Sequence, residues 1–166
     1  MKRLPMPSGR SGFARAIATV FGIGRLPGAP GTWASAAALP VAWAIQSAFG
    51  SIGLLTAGMA VLAVGGWAAD AIERASGRRD PSEVVIDEVA GQWLTLVPVS
   101  PDLMIYGLGF VLFRLADITK PWPVSWLDRR VSGGFGIMID DVAAAAYAGL
   151  CLYVLNWWIR VSDAPL

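Results

Sequence analysis

The stretch that decides the fold is ASAAALPVAWAIQSAF, residues 34–49, followed after Gly50 and Ser51 by IGLLTAGMAVLAVGGWAA, residues 52–69, with no charged side chain in either run. At 1.5 Å per residue the second run reaches about 27 Å as a helix, close to the thickness of a bilayer's hydrocarbon core. The pair predicts a helical hairpin of nearly membrane-spanning length that turns at Gly50-Ser51. A third charge-free run, residues 142–159, ends in Trp157-Trp158 and then Arg160, the pattern of an interfacial anchor. Between these runs, Val89 to Val99 and Leu103 to Phe113 flank Pro101-Asp102, and at 11 residues each neither crosses a core about 30 Å thick. They predict a short re-entrant or interfacial hairpin, or the ends of helices that start outside the bilayer. The expected fold is all-α: a compact helical bundle, membrane-embedded, with about three spanning helices.

Composition agrees. The chain is 55% hydrophobic and 15% charged, where soluble domains average about 45–50% and 25%, and its mean hydropathy is +0.57. Its 166 residues are one domain's worth, read as a basic N-terminal interfacial segment (1–21) and a helical bundle (22–160). Lys2, Arg3, Arg10, Arg15 and Arg25 come without an acid, and no apolar stretch of the signal-peptide kind accompanies them. Phe13, Ile17, Val20 and Phe21 recur at helical spacing, which suits either a short helix on the membrane surface or an ordinary core-facing one. Twelve of the thirteen basic residues fall in residues 1–32, 70–88 and 114–141, and ten of the twelve acids in the last two of these segments. That partition fits one cytoplasmic face over an apolar bundle.

Absences exclude whole chemistries. Without histidine there is no Ser-His-Asp triad, no His-ligated zinc and no phosphohistidine. One cysteine allows no internal disulfide; Cys151, in an apolar run without the Cys-x5-Arg pattern, is expected to be a buried, inert thiol. A formal charge of +1 leaves no basic field for nucleic acid.

The chemistry concentrates in PSEVVIDEVAGQ (81–92), RLADITKPWP (114–123) and LDRRVSGGFGIMIDD (127–141). Asp87-Glu88 precedes an apolar run, and Glu88 shares a helix face with Gln92; a solvated helix start is the plain alternative. Arg114, Asp117 and Lys120, three apart, would set plus, minus and plus on one face until Pro121 stops the helix, an arrangement an exposed ion-pair ladder would also produce. The glycine-rich segment Ser132 to Gly136 could bring backbone N–H groups to an anion. Asp140-Asp141 opens the last apolar run, where a cap needs one carboxylate and two stand. Acid clusters without histidine or thiolate suit a hard cation such as Mg²⁺. With Arg114, Lys120 and Arg129 they describe a phosphate site, in which a water or an aspartate attacks phosphorus. At the mouth of a membrane bundle the natural substrate is a lipid phosphate.

Taken in order, GRLPGAPGTWAS (24–35), IDEVAG (86–91), FRLADITKPWPV (113–124) and DRRVSGGFGIMIDD (128–141) resemble the phosphatidylglycerophosphatase A family, over about Phe21 to Tyr153. The resemblance implies a Mg²⁺-dependent bacterial lipid phosphatase on a compact all-helical scaffold. It would convert phosphatidylglycerophosphate to phosphatidylglycerol at the cytoplasmic face of the inner membrane, with a homo-oligomer possible. The motif match places Asp87, Glu88, Asp117, Lys120, Asp128, Arg129, Asp140 and Asp141 in the site. By chemistry, Asp87, Glu88, Asp140 and Asp141 are expected as metal ligands, and Asp117, Asp128 and Lys120 as catalytic. Arg114, Lys120, Arg129 and Thr32 are expected to bind phosphate, with the stretch Gly28 to Thr32 equally readable as a plain Pro/Gly turn. The CDP-alcohol transferase pattern and the D-x-D of haloacid-dehalogenase phosphatases are absent. The alternative is a non-enzymatic helical membrane adaptor or small transporter.

Overall fold

The computed structural model describes residues 10–79, 81–122, 124–126 and 133–162. Among the described residues five α-helices carry the fold: α1 (Arg10–Ala18), α2 (Pro30–Ser76), α3 (Ile86–Leu96), α4 (Leu103–Thr119) and α5 (Gly134–Ser162). A 3₁₀ segment, Val20–Arg25, joins the first two. No strand occurs among the described residues.

The two apolar runs of residues 34–69 form one helical element, interrupted at Gly50, whose φ of 68° and ψ of −172° leave the helix. Only glycine takes that backbone region without strain, so the break sits where the sequence supplies the residue for it. Contacts with α3 show that the chain reverses there. On the outward limb Gly31 lies against Glu88, the Trp93 indole donates to the carbonyl of Ala38 at 3.0 Å, and Gln46 Nε2 donates to the carbonyl of Val99 at 2.6 Å. On the return limb Gly58 packs on Leu94, and Gly65 on Ile86. The expected hairpin is present. The expected count of spanning helices is corrected: two helices among the described residues, Pro30–Ser76 and Gly134–Ser162, are long and apolar enough to cross a membrane, not three. The first two charge-free runs belong to a single element.

The second hairpin departs further from expectation. α3 and α4 run antiparallel, with Gly91 under the Phe113 ring and Gly109 under Leu96. Yet α3 is no shallow element: Val89, Ala90, Gly91, Gln92, Trp93, Thr95 and Leu96 are all buried, because both limbs of α2 on one side and α5 on the other cover it. Its short apolar run is explained by burial in protein rather than in lipid. Small residues make such close helix approach possible; Gly149 of α5 lies against Thr95 in the same way. α1 turns Ala14 and Ala18 to the core and leaves Phe13 exposed, as Phe21 is in the 3₁₀ segment that follows, so the small residues rather than the rings form the packed face. Cys151 is exposed, contrary to the expected buried thiol, because it stands on the outward apolar face of α5 with Leu150, Tyr153 and Val154.

These contacts sort the bundle into two ends. Gly31, Glu88, Phe113 and Asp141 define one. At the other, Gln46, Tyr106 and Val99 are tied by hydrogen bonds, and Asp102 caps α4 through Ile105 N at 2.9 Å. Arg78 belongs to the first end and Ser47, exposed three residues before Gly50, to the second. In sealed vesicles holding a Cys151→Ser background, Arg78→Cys and Ser47→Cys should label with an impermeant maleimide from opposite sides. Labelling of both from one side would contradict a transmembrane hairpin.

Candidate active site

At the first end a cavity of about 320 Å³ is lined by Ala29, Pro30, Gly31, Ser82, Val84, Asp87, Glu88, Arg114, Asp117, Lys120, Asp140 and Asp141. Four helices supply it. α3 brings Asp87 and Glu88 in its first turn, α4 brings Arg114 and Asp117 in its last turns, α5 brings Asp140 and Asp141, and the start of α2 closes one wall. Five carboxylates and two cations line it.

Asp87, Glu88 and Asp141 each place one carboxylate oxygen within 4.8 Å of the others, a spacing that could hold a metal ion. Glu88 Oε2 and Asp141 Oδ2 are buried without a hydrogen-bond partner. Buried charged oxygens of this kind are costly unless paired or bound to a cation, and an all-oxygen set is what Mg²⁺ prefers. The donor set therefore fits that cation. Burial raises the Glu88 carboxyl above the ordinary range, and Asp117 adds to the rise, while a hydrogen bond with Asp87 and the charge of Arg114 act in the opposite direction.

The two cations are already engaged with carboxylates. Arg114 Nη1 stands 2.7 Å from Asp117 Oδ2 and 3.9 Å from Glu88 Oε1, and donates to Ser35 Oγ at 3.5 Å. Lys120 Nζ donates to Asp140 Oδ2 at 2.6 Å. The charge ladder expected along α4 thus stops after Arg114 and Asp117. Lys120 caps the helix with φ of 42° and ψ of 60°, an uncommon conformation for a side-chain-bearing residue, and from there its ammonium reaches across to α5. Asp140, expected with the metal ligands, is joined to Lys120, whereas Asp87, Glu88 and Asp141 form the tight group.

Other expectations divide. Asp140 and Asp141 do not open the last helix, which begins at Gly134; they lie within it, buried, so they are not caps. The glycine-rich segment is taken up by packing: Gly134 sits directly on the Gly66 carbonyl and the Asp70 backbone, and no residue of 133–136 lines the cavity. Thr32 does not line it either, although Ala29 to Gly31 do. Asp128 and Arg129 lie outside the described residues. Sequence reasoning missed Ser35, fully buried and bonded to the Gly31 carbonyl at 3.0 Å, since a lone serine in an alanine run carries no signal. The role of Gly31 was missed too: a Cβ there would overlap Glu88 Oε1.

The family model described as Phosphatidylglycerophosphatase A matches residues 16–156. A protein of Escherichia coli named Phosphatidylglycerophosphatase A is 34% identical, covering 86% of this chain and 83% of its own. Another of the same name from Haemophilus influenzae is 34% identical, with 86% and 88% covered. A candidate phosphatidylinositol-3-phosphatase of Bacteroides thetaiotaomicron is 39% identical, with 86% and 93% covered. No solved structure matches the chain.

The contact between Gly31 and Glu88 can be tested on stability alone. Gly31→Ala should push the buried Glu88 carboxylate from its place against the start of α2 and lower unfolding stability by about 1–3 kcal/mol. Gly12→Ala, in a position with nothing near its Cβ, should be neutral or slightly stabilising. Thermal unfolding of both variants in detergent measures this, and an unchanged midpoint for Gly31→Ala would mean that the Glu88 carboxylate is not held against the start of α2.

Proposed function

The chain belongs to the phosphatidylglycerophosphatase A family, and from that premise we propose that it hydrolyses the terminal phosphate monoester of phosphatidylglycerophosphate, with Mg²⁺, at the cytoplasmic face of a bacterial inner membrane. The observation that carries the proposal is the cluster of three oxygen-bearing carboxylates beside two held cations in one cavity. Family membership leaves the adaptor or transporter reading with no observation in its favour.

In this reading Asp87, Glu88 and Asp141 hold the Mg²⁺. The ion supplies neutralisation of phosphoryl oxygens, and so lowers the cost of charge that builds up in the transition state. Lys120, the more exposed of the two cations, takes a phosphate oxygen, with Asp140 fixing its ammonium. Arg114 adds positive charge from the floor of the cavity, where Ser35 and Asp117 orient its guanidinium. Asp117, an acceptor for Arg114, accepts a proton from the attacking water in this reading. As the new P–O bond forms, the bond from phosphorus to the glycerol oxygen breaks, and that oxygen takes up a proton from solvent. Asp128 and Arg129, by motif, belong to the same site.

Membrane embedding is supported by the surface of the bundle. The most apolar window of α2 is only 17% buried, unlike the core helix of a soluble protein. Phe49, Ile52, Leu55 and Met59 of α2 and Leu150, Val154, Trp157 and Trp158 of α5 all face outward. A site at the end of such a bundle stands at headgroup depth, within reach of a lipid phosphate. The similarity to a candidate phosphatidylinositol-3-phosphatase supports a second reading, in which the same monoester chemistry acts on an inositol headgroup.

Purified protein in mixed micelles should release phosphate from phosphatidylglycerophosphate faster than from phosphatidylinositol 3-phosphate, glycerol 3-phosphate or p-nitrophenyl phosphate. EDTA should abolish turnover and Mg²⁺ restore it. Asp141→Asn should lower kcat at least about 100-fold, and Lys120→Ala should raise the barrier by roughly 2–4 kcal/mol. Preference for the inositol lipid would favour the second reading. Equal efficiency on soluble and lipid monoesters would overturn the membrane-interface mechanism, and full activity in EDTA would overturn the role of the cation.

A further inference from the structure

Gln92 is fully buried, and neither its amide nitrogen nor its amide oxygen has a hydrogen-bond partner. A core position that needed only volume would hold leucine or methionine, because an unpartnered buried amide costs about 1–3 kcal/mol. Two features connect this amide to the site. It lies one helical turn after Glu88 on α3, so the two side chains share a helix face. The same stretch of α3 runs against α5 beside Asp141, whose carbonyl a Cβ on Gly91 would approach to 3.2 Å. Glu88 and Asp141 are themselves left with unpartnered buried oxygens.

A hard divalent cation takes about six oxygen ligands, and glutamine carbonyls are among the groups that provide them. Three carboxylates supply only part of that number, and they bring more negative charge than a divalent ion carries. A neutral oxygen adds a ligand without adding charge. We infer that the Gln92 amide is a fourth arm of the cation site, its Oε1 joining the oxygens of Asp87, Glu88 and Asp141 from the buried side. This inference rests on the cation reading given above. It accounts for the retention of an unsatisfied amide at a fully buried position, since the group is satisfied only when the site is filled.

The test is Mg²⁺ binding to the full-length protein in detergent, read by calorimetry and by the shift of the melting temperature, with no substrate present. Gln92→Met removes the amide and keeps the volume. It should weaken Mg²⁺ binding by about 10- to 100-fold, while the metal-free melting temperature stays level or rises. Gln92→Glu keeps an oxygen in place; it should bind Mg²⁺ at least as tightly as the unsubstituted protein and lower the metal-free melting temperature by adding a fourth buried carboxylate. Unchanged Mg²⁺ affinity in Gln92→Met would overturn the inference, as it would if a buried water alone satisfied the amide. A lowered metal-free melting temperature in Gln92→Met would overturn it as well, by making Gln92 a group that the fold requires. Binding in Gln92→Glu as weak as in Gln92→Met would exclude the oxygen as the contributing atom. Absence of any Mg²⁺ effect in the unsubstituted protein would remove the cation reading itself, which separates that failure from the others.

Discussion

Repulsion among Asp87, Glu88 and Asp141 is the interaction on which the rest of the structure depends. Three carboxylates whose oxygens lie within 4.8 Å of one another, set at the end of an apolar bundle, cannot all be charged without compensation nearby. Arg114 compensates Glu88 and Asp117, and Lys120 compensates Asp140. Among the described residues no ion pair joins Arg114 or Lys120 to Asp141. The fold thus brings together more negative charge than its described cations neutralise, a surplus that the divalent ion of the proposed function would offset.

Holding such a group in place requires helices that approach closely and do not yield. α3 carries two of the three carboxylates, and nine of its eleven residues are buried. Gly31, Gly58 and Gly65 let both limbs of α2 settle on it, and Gly91 admits the Phe113 ring from α4. A larger side chain at any of these positions would press on side chains of the neighbouring helix. At the far end the bonds between Gln46, Tyr106 and Val99 fix the axial register of α2 against α3 and α4. The site is positioned by packing that extends the length of the bundle.

Much of this was legible in the chain. The helical hairpin was readable because Gly50-Ser51 separates two charge-free runs, and the partition of charge placed the site at one end. The acids were readable because carboxylates directly adjoining apolar residues are expensive without a purpose. What could not be read depends on which neighbour covers a residue. The 11-residue run around α3 is too short for a bilayer, and nothing local says that it is sheathed by other helices. Cys151 lies in an apolar run, but apolar surroundings in sequence do not distinguish the inward from the outward face of α5. Asp140 and Asp141 are adjacent in sequence, yet successive helical residues point about 100° apart, so one joins the carboxylate cluster and its neighbour turns to Lys120. Asp128 and Arg129 stay known by motif alone.

The central claim is that Asp87, Glu88 and Asp141 together bind a divalent cation. Anomalous diffraction from crystals of the protein grown with Mn²⁺ in place of Mg²⁺ tests this most directly. The account predicts an anomalous peak bonded to carboxylate oxygens of all three residues, with Asp140 still paired to Lys120. A peak on Asp140 instead of Asp141, or crystals saturated with Mn²⁺ that show no peak in the cavity, would contradict it.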